Sequence, residues 1–219
     1  MNGENQKTYQ FVLNEIQERN PAPAICEVGV GRPKNSIGIY LAQHLKTSSL
    51  TLVDPNPTFQ PLIERVIQRD FSDRDVTYHK AAVVHPPKPV SGTIDFLIPR
   101  TSRVGPHQSA FVAGVEASAP VMLPQFEYDT HVVSCMTWDE IDTGQFDVLL
   151  LDVEGSEWGI IAHLVSRPFV ITIEMEWKPA QRHKGWQNPH QKEIHMKLLD
   201  LGYACVRRGN GDWFYVRKS

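Results

Sequence analysis

The chain has 219 residues, of which 41% are hydrophobic and 21% charged, and its formal net charge is −3. This composition is that of an ordinary globular domain, and it excludes wholesale disorder, collagen and coiled coil. The small negative charge disfavours a general nucleic-acid-binding role. Two aspartates interrupt the longest apolar stretch, at 146–153, so we expect no membrane-spanning helix.

The amino-terminal segment and the cysteines predict a cytoplasmic protein. The opening MNGENQKTYQ is polar and has no apolar signal core. Cys26, Cys135 and Cys205 lie far apart without a CxxC pair, which suits a reducing compartment and favours neither a disulfide framework nor a zinc site. The length predicts a single domain over residues 1–219.

The first 84 residues alternate between helical and extended patterns. Apolar residues at helical spacing predict an N-terminal helix at 5–19, within a leading segment, 1–23, that prolines end. The next expected elements are a strand at 24–31, a helix capped by Asn35 or Ser36, a strand at 50–53, a helix at 58–69 and a strand at 76–84. This alternation predicts a doubly wound, mostly parallel sheet.

Residues 85–135 interrupt the alternation. They are rich in proline and glycine, and we expect a lid or substrate-side insertion in which only 93–98 forms an edge strand. The remaining expected elements are strands at 146–152 and 169–174, helices at 157–164 and 189–201, and a hairpin over 203–216. An α/β sheet with helices on both faces and a C-terminal antiparallel hairpin is typical of class I methyltransferases, whose Rossmann-like sheet ends in this way.

A glycine-rich turn, EVGVG at 27–31, follows the first strand. Glycines there permit the close backbone approach of a cofactor. The Glu27 carboxylate can accept a hydrogen bond from a cationic amino group and would repel a pyrophosphate, which favours S-adenosylmethionine over NAD. The third glycine of a dinucleotide fingerprint is also missing. The alternative is a bare strand-to-helix turn.

Acidic residues follow two further strands. Asp54 comes 25 residues after Gly29 and can accept the ribose hydroxyls of an adenosine cofactor, although DPNP is also good turn chemistry. The segment 152–157, DVEGSE, holds three acids at one strand end, which is costly unless they meet a cation, a metal or helix N-terminal amides. We expect Asp152 and Glu154 to be functional, and Glu157 to be mainly structural.

Five sequence elements together resemble the FkbM-type S-adenosylmethionine-dependent methyltransferases. They are EVGVG at 27–31, VDPNP at 53–57, KAAV at 80–83, TWDEI at 137–141 and LDVEGSE at 151–157. The resemblance implies a class I methyltransferase that usually acts on a hydroxyl oxygen of a sugar or secondary metabolite. The residues then expected to bind S-adenosylmethionine are Glu27, Gly29, Gly31, Asp54, Asn56, Ala81 and Asp152.

Methyl transfer to an alcohol is an in-line displacement that benefits from a base. The expected catalytic residues are Asp152, Glu154 and Glu174, and a histidine of the insertion, His107 or His131, is a further candidate base. The expected partner is a small-molecule or saccharide acceptor, and neither a membrane nor a nucleic acid is expected.

Two alternatives stay open. In the first, a divalent metal, which we do not expect, assists O-methylation with Asp152, Glu154 and Glu174 as oxygen ligands. In the second, the domain binds the cofactor or a partner without chemistry, a possibility raised by the unusual sequence RPK at 32–34. An NAD-dependent oxidoreductase is disfavoured by Glu27, by the missing glycine and by the terminal hairpin.

Overall fold

A computed structural model of the chain describes residues 3–100, 111–112, 127–177, 186–208 and 211–218. In chain order its elements are α1 (Gly3–Arg19), β1 (Ala24–Val28), α2 (Ile37–His44), β2 (Ser49–Val53), α3 (Gln60–Asp70), β3 (Val76–His79), β4 (Ala81–Val84), β5 (Thr93–Pro99), β6 (Phe111–Val112), β7 (Tyr128–Thr137), a 3₁₀ turn (Trp138–Glu140), β8 (Val148–Leu151), α4 (Glu157–Ala162), β9 (Val170–Glu174), β10 (Glu176–Trp177), β11 (Trp186–Gln187), α5 (Gln191–Asp200), β12 (Tyr203–Arg208) and β13 (Asp212–Arg217).

Within these residues seven strands form the main sheet, in the order β3-β2-β1-β8-β9-β13-β12. The strands β3, β2, β1, β8 and β9 are mutually parallel, and β13 runs antiparallel between β9 and β12. Every residue of β1 and β8 is buried, as expected for central strands covered on both faces. The predicted α/β sheet with its terminal antiparallel hairpin is confirmed.

Helices cover both faces of this sheet. The helices α1, α2 and α3 bury apolar residues such as Ile16, Ile39 and Ile63 in one core. The helices α4 and α5 bury Ile160 and Leu198 in the core on the other face. None of the described helices is long and apolar enough to cross a membrane.

The strand expected at 76–84 is two strands in two sheets. The first part, β3, is the half-exposed edge of the main sheet, whereas β4 is fully buried and pairs with β7. Only Lys80 separates them, so continuous β-propensity hides the change of partner. At the end of β4, His85 packs against α4, where a Cβ on Gly159 would stand 3.3 Å from its ring.

The described part of the 85–135 segment is a sheet and not an irregular loop. Its strand order is β4-β7-β5-β6, so β5 lies between two neighbours and is not an edge strand. The long strand β7 went unpredicted because it is polar and half-exposed, with only Val133 and Cys135 buried in it. After β9, where the sequence analysis assigns no element before 189, β10 pairs antiparallel with β11.

Candidate active site

The glycine turn after β1 and the end of β8 touch through their backbones. Gly29 has a φ of +86°, and its N–H donates to the carbonyl of Val53 at 2.9 Å. The N–H of Asp152 donates to the carbonyl of Val28 at 3.0 Å. A side chain on Gly29 would occupy the place of the Asp152 carbonyl. The turn and the acidic segment are therefore held together at the carboxyl edge of the sheet.

Glu27 lies beneath the first turn of α2. Its carboxylate accepts hydrogen bonds from the Ser36 hydroxyl and from the N–H of Ile37, the latter at 3.0 Å. Burial raises the pKa of Glu27 to about 7, and these hydrogen bonds oppose the rise. Gly38 leaves room for this carboxylate, since a Cβ there would stand 2.9 Å from Oε2. Glu27 thus anchors α2 behind the glycine turn, and its contact with a cofactor amino group stays a prediction.

Asp54 connects the turns that follow β1 and β2. Its Oδ2 accepts the N–H of Gly31 at 2.7 Å, and its Oδ1 accepts the N–H of Asn56 at 2.8 Å. The side-chain oxygen of Asn56 in turn accepts the N–H of Thr58 at 3.0 Å, which shapes the turn into α3. Burial raises the pKa of Asp54 to about 6. Each oxygen of an ionised carboxylate has room for a further donor, so these bonds leave Asp54 able to accept a ribose hydroxyl.

Three of the predicted acids converge. One carboxylate oxygen each from Asp152, Glu154 and Glu174 lie within 4.8 Å of one another. Asp152 directly follows β8 and Glu174 is the last residue of its parallel neighbour β9, which explains why the sheet brings them together. Glu154 reaches them from a left-handed backbone conformation with a φ of +52°, which is strained for a residue other than glycine.

The ionisation of this cluster is strongly perturbed. The Asp152 side chain stays open to solvent, yet the protein packed around it raises its pKa. Burial, with repulsion from Asp152, raises the pKa of both Glu154 and Glu174 well above the ordinary value. A hydrogen bond between the two side chains lowers the pKa of Asp152 and raises that of Glu174. The buried Oε2 of Glu174 has no hydrogen-bond partner in the described part of the chain.

Asp212 is a fourth acid of this edge, which the sequence analysis did not identify. It begins β13 directly opposite Glu174. Burial and repulsion from Asp152 raise the pKa of Asp212 to about 7. The predicted hairpin could have revealed Asp212, because an antiparallel strand that pairs with β9 must start where β9 ends.

The charge of Asp152 acts on the whole edge. Burial is the main cause of the raised pKa of six other carboxyl groups, and in each of them repulsion by Asp152 adds to it; they are Glu27, Asp54, Glu154, Glu157, Glu174 and Asp212. No lysine or arginine among the described residues forms an ion pair with any of them. In the described part of the chain these carboxyl groups therefore have no cationic partner.

Glu157 has a structural role, as expected. Its Oε1 accepts the N–H groups of Val153 and Gly155 at 3.2 and 3.3 Å, and its Oε2 accepts the amide of Asn188 at 2.5 Å. Ser156 stands at the N-cap of α4 but makes no capping hydrogen bond with its side chain. The Glu157 carboxylate holds the turn instead.

The other predicted site residues lie farther along the same region or outside the described residues. Ala81 begins β4, two residues after β3 ends at His79, and it is buried. His131 lies within β7, opposite Phe96 of β5, in the second sheet. His107 lies outside the residues that the structure describes.

The residues present fit S-adenosylmethionine, which carries an ammonium and a sulfonium but no phosphate. A cofactor of that charge would supply a cationic partner for these carboxyl groups. Gly31 has a φ of +57° and open space where a side chain would be. Asp54 stands beside it at the end of β2.

The sheet order, the antiparallel β13 and the acidic carboxyl edge define a class I S-adenosylmethionine-dependent methyltransferase. The profile of the methyltransferase FkbM domain matches residues 7–205, so the chain belongs to the FkbM methyltransferase family. The family resemblance predicted from the sequence motifs is thereby confirmed. No curated protein matches the chain.

Solved structures resemble the chain at low identity. Precorrin-6y C5,15-methyltransferase from Geobacter metallireducens is 15% identical with a TM-score of 0.46, over 98% of this chain and 89% of that one. An S-adenosylmethionine-dependent methyltransferase from Aquifex aeolicus is 14% identical with a TM-score of 0.45, over 95% and 88% of the respective chains.

Proposed function

We propose that this methyltransferase acts on a hydroxyl oxygen of a saccharide or another small polyhydroxylated metabolite. The observation that carries the proposal is the pair of neighbouring carboxyl groups of Asp152 and Glu174 at the cofactor edge, where the buried Oε2 of Glu174 has no hydrogen-bond partner among the described residues. A hydroxyl group is a weak nucleophile, and a carboxylate placed to take its proton contributes to catalysis.

S-adenosylmethionine supplies the activated methyl group when bound. We assign its recognition to the turns that hold Gly29, Gly31, Asp54 and Asn56, with Glu27 behind them and Ala81 at the next strand. The positive charge of such a ligand lowers the pKa of nearby carboxyl groups. The carboxylate form of Glu174 would then accept the hydroxyl proton of the acceptor as the methyl group is transferred to its oxygen. Asp152 orients that carboxylate, and Glu154 adds negative charge beside it.

The acceptor side of the site is assigned to the second sheet and the ribbon after β9. The antiparallel pairing of β10 with β11 sets the backbone of Trp177 opposite that of Trp186. Two tryptophans at this point of the chain are of a residue type that favours a saccharide acceptor.

The test is a methyl-transfer assay with deuterium-labelled S-adenosylmethionine and a panel of monosaccharides, oligosaccharides and polyols. We expect labelled O-methyl product in at least one member of the panel. Glu174→Gln should lower the rate by roughly 100-fold or more and leave cofactor affinity within a few-fold. Glu193→Gln, a matched change at an exposed position of α5, should behave as wild type. Product methylated only at nitrogen, carbon or sulfur would contradict the proposal.

A further inference from the structure

We infer that Asp152, Glu154 and Glu174 bind one divalent cation of the oxygen-preferring kind, with Mg²⁺, Mn²⁺ and Ca²⁺ as the candidate ions. This inference departs from the expectation of a metal-free enzyme. It deepens the proposed function at the same site.

The spacing of the three carboxylates suits such an ion. Their nearest oxygens lie within 4.8 Å of one another. Oxygens on opposite sides of one ion are about 4.2 Å apart for Mg²⁺ and about 4.6–5.2 Å apart for Ca²⁺. A cation could therefore contact all three groups after side-chain adjustments of tenths of an ångström.

The second observation is the unsatisfied oxygen of Glu174. Its Oε2 is buried and accepts no N–H or O–H from any described residue. Buried polar atoms in folded proteins nearly always have a partner. The groups that face Glu174 are other acids, Asp152 and Glu154 from β8 and the turn after it, and Asp212 from β13. A cation among these carboxylates would give this oxygen a partner and relieve the repulsion between the acids.

The kind of ion follows from the ligands. The cluster offers carboxylate oxygens and neither histidine nor cysteine among the described residues, which favours Mg²⁺, Mn²⁺ or Ca²⁺ over zinc or copper. The Asp152 side chain is exposed, so an ion has a path from solvent and keeps coordination positions for water or for an acceptor oxygen. An acceptor hydroxyl bound there would be more acidic than in water.

The test measures ion binding directly on the metal-free full-length chain. Electron paramagnetic resonance of added Mn²⁺ should show one bound ion per chain that Mg²⁺ or Ca²⁺ displaces. Asp152→Asn and Glu174→Gln should each raise the dissociation constant by at least about tenfold. Glu193→Gln should leave it unchanged. Thermal unfolding of each variant checks that the fold is retained.

The inference would be overturned if the wild type bound no Mn²⁺. It would also be overturned if both cluster variants bound Mn²⁺ as tightly as Glu193→Gln does. Its failure is distinct from that of the proposed function. If the chelator-treated enzyme binds no Mn²⁺ and still methylates a hydroxyl at the full rate, the metal site is ruled out and the proposed function stands. Site-specific Mn²⁺ binding without transfer to any hydroxyl supports the metal site and removes the proposed acceptor class.

Discussion

A Cβ added to Gly29 would stand 1.7 Å from the backbone carbonyl oxygen of Asp152. The glycine turn and the acidic segment after β8 are thus in contact without any side chain between them. Because Gly29 also has a φ of +86°, two independent constraints select glycine there. This contact places the cofactor turn beside the acidic cluster.

The first prediction concerns this contact. Gly29→Ala should destabilise the fold by roughly 3 kcal/mol or more, because the added methyl group overlaps backbone atoms that cannot rotate away. Gly31→Ala is the matched control for stability, since it shares the positive φ but has nothing within 4 Å of the added Cβ. Gly31→Ala should lower the free energy of unfolding by only about 1–2 kcal/mol. Urea unfolding measures both, and equal losses would contradict the role of the contact.

The second prediction concerns Asp54. Asp54→Asn should weaken binding of S-adenosylhomocysteine by roughly 10- to 100-fold, because a hydrogen bond to a charged group is worth about 1.5–3 kcal/mol. The asparagine keeps one oxygen as an acceptor for the N–H of either Gly31 or Asn56. Isothermal titration calorimetry gives the affinity, with Asp139→Asn as an exposed control. An unchanged affinity in Asp54→Asn would remove this residue from the cofactor site.

The third prediction concerns Asp142, which we expect to stabilise the fold without taking part in cofactor binding. Asp142 is 2% exposed, and its carboxylate accepts hydrogen bonds from the indole of Trp138 and from the N–H groups of Gly144, Val165 and Ser166. Asp142→Ala would leave these buried donors unpaired and should cost at least roughly 3 kcal/mol. Cofactor affinity of the fraction that remains folded should equal that of wild type. Urea unfolding measures the loss of stability, and calorimetry measures the cofactor affinity. A loss of unfolding free energy below about 1 kcal/mol would contradict the structural role of Asp142.

The fourth prediction is a dependence of stability on pH. Burial raises the pKa of Glu27 and of Glu157 to about 7, whereas an unfolded glutamate titrates at about 4.5. Between these values the folded protein holds protons that the unfolded chain releases, so raising the pH across this window lowers the free energy of unfolding. The ligand-free protein should therefore melt at a higher temperature at pH 5.5 than at pH 7.5. Between these two pH values, the free energy of unfolding should fall by roughly 2 kcal/mol for each of these two groups.

Glu157→Gln is the control for this dependence. The glutamine keeps an oxygen that accepts from the N–H groups of Val153 and Gly155 but does not ionise, so the slope of stability against pH should become shallower. Burial lowers the pKa of His79 and His195, which acts in the opposite direction and is the same in both proteins. A melting temperature that rises from pH 5.5 to 7.5, or an unchanged slope in the variant, would contradict the prediction.

The main sheet was predictable because its strands are buried on both faces. A strand such as β8 is four consecutive apolar residues, and that signal does not depend on the neighbouring elements. The second sheet was not predictable on the same basis. Much of strand β7 is exposed to solvent. Its partners β4 and β5 come well before it in the sequence. Pairing between distant strands leaves little trace in the local pattern.

The acidic site was predictable in part for the same reason. Asp152 and Glu174 each follow an apolar strand, and parallel neighbours end at one edge. The sequence did not reveal that the Glu27 carboxylate accepts hydrogen bonds from the first turn of α2, because this depends on where the helix packs. Asp212 was missed because it follows a glycine in a tight hairpin, where an acid is ordinary turn chemistry.

The central claim is that a cationic adenosine cofactor binds along the acidic carboxyl edge of the sheet. A crystal structure with S-adenosylhomocysteine tests it most directly. We predict that the ligand lies against the turn of Gly29 and Gly31, with its ribose hydroxyls hydrogen-bonded to Asp54 and its sulfur facing Asp152 and Glu174. A ligand bound away from this edge, or an edge closed by the protein's own side chains, would contradict the account.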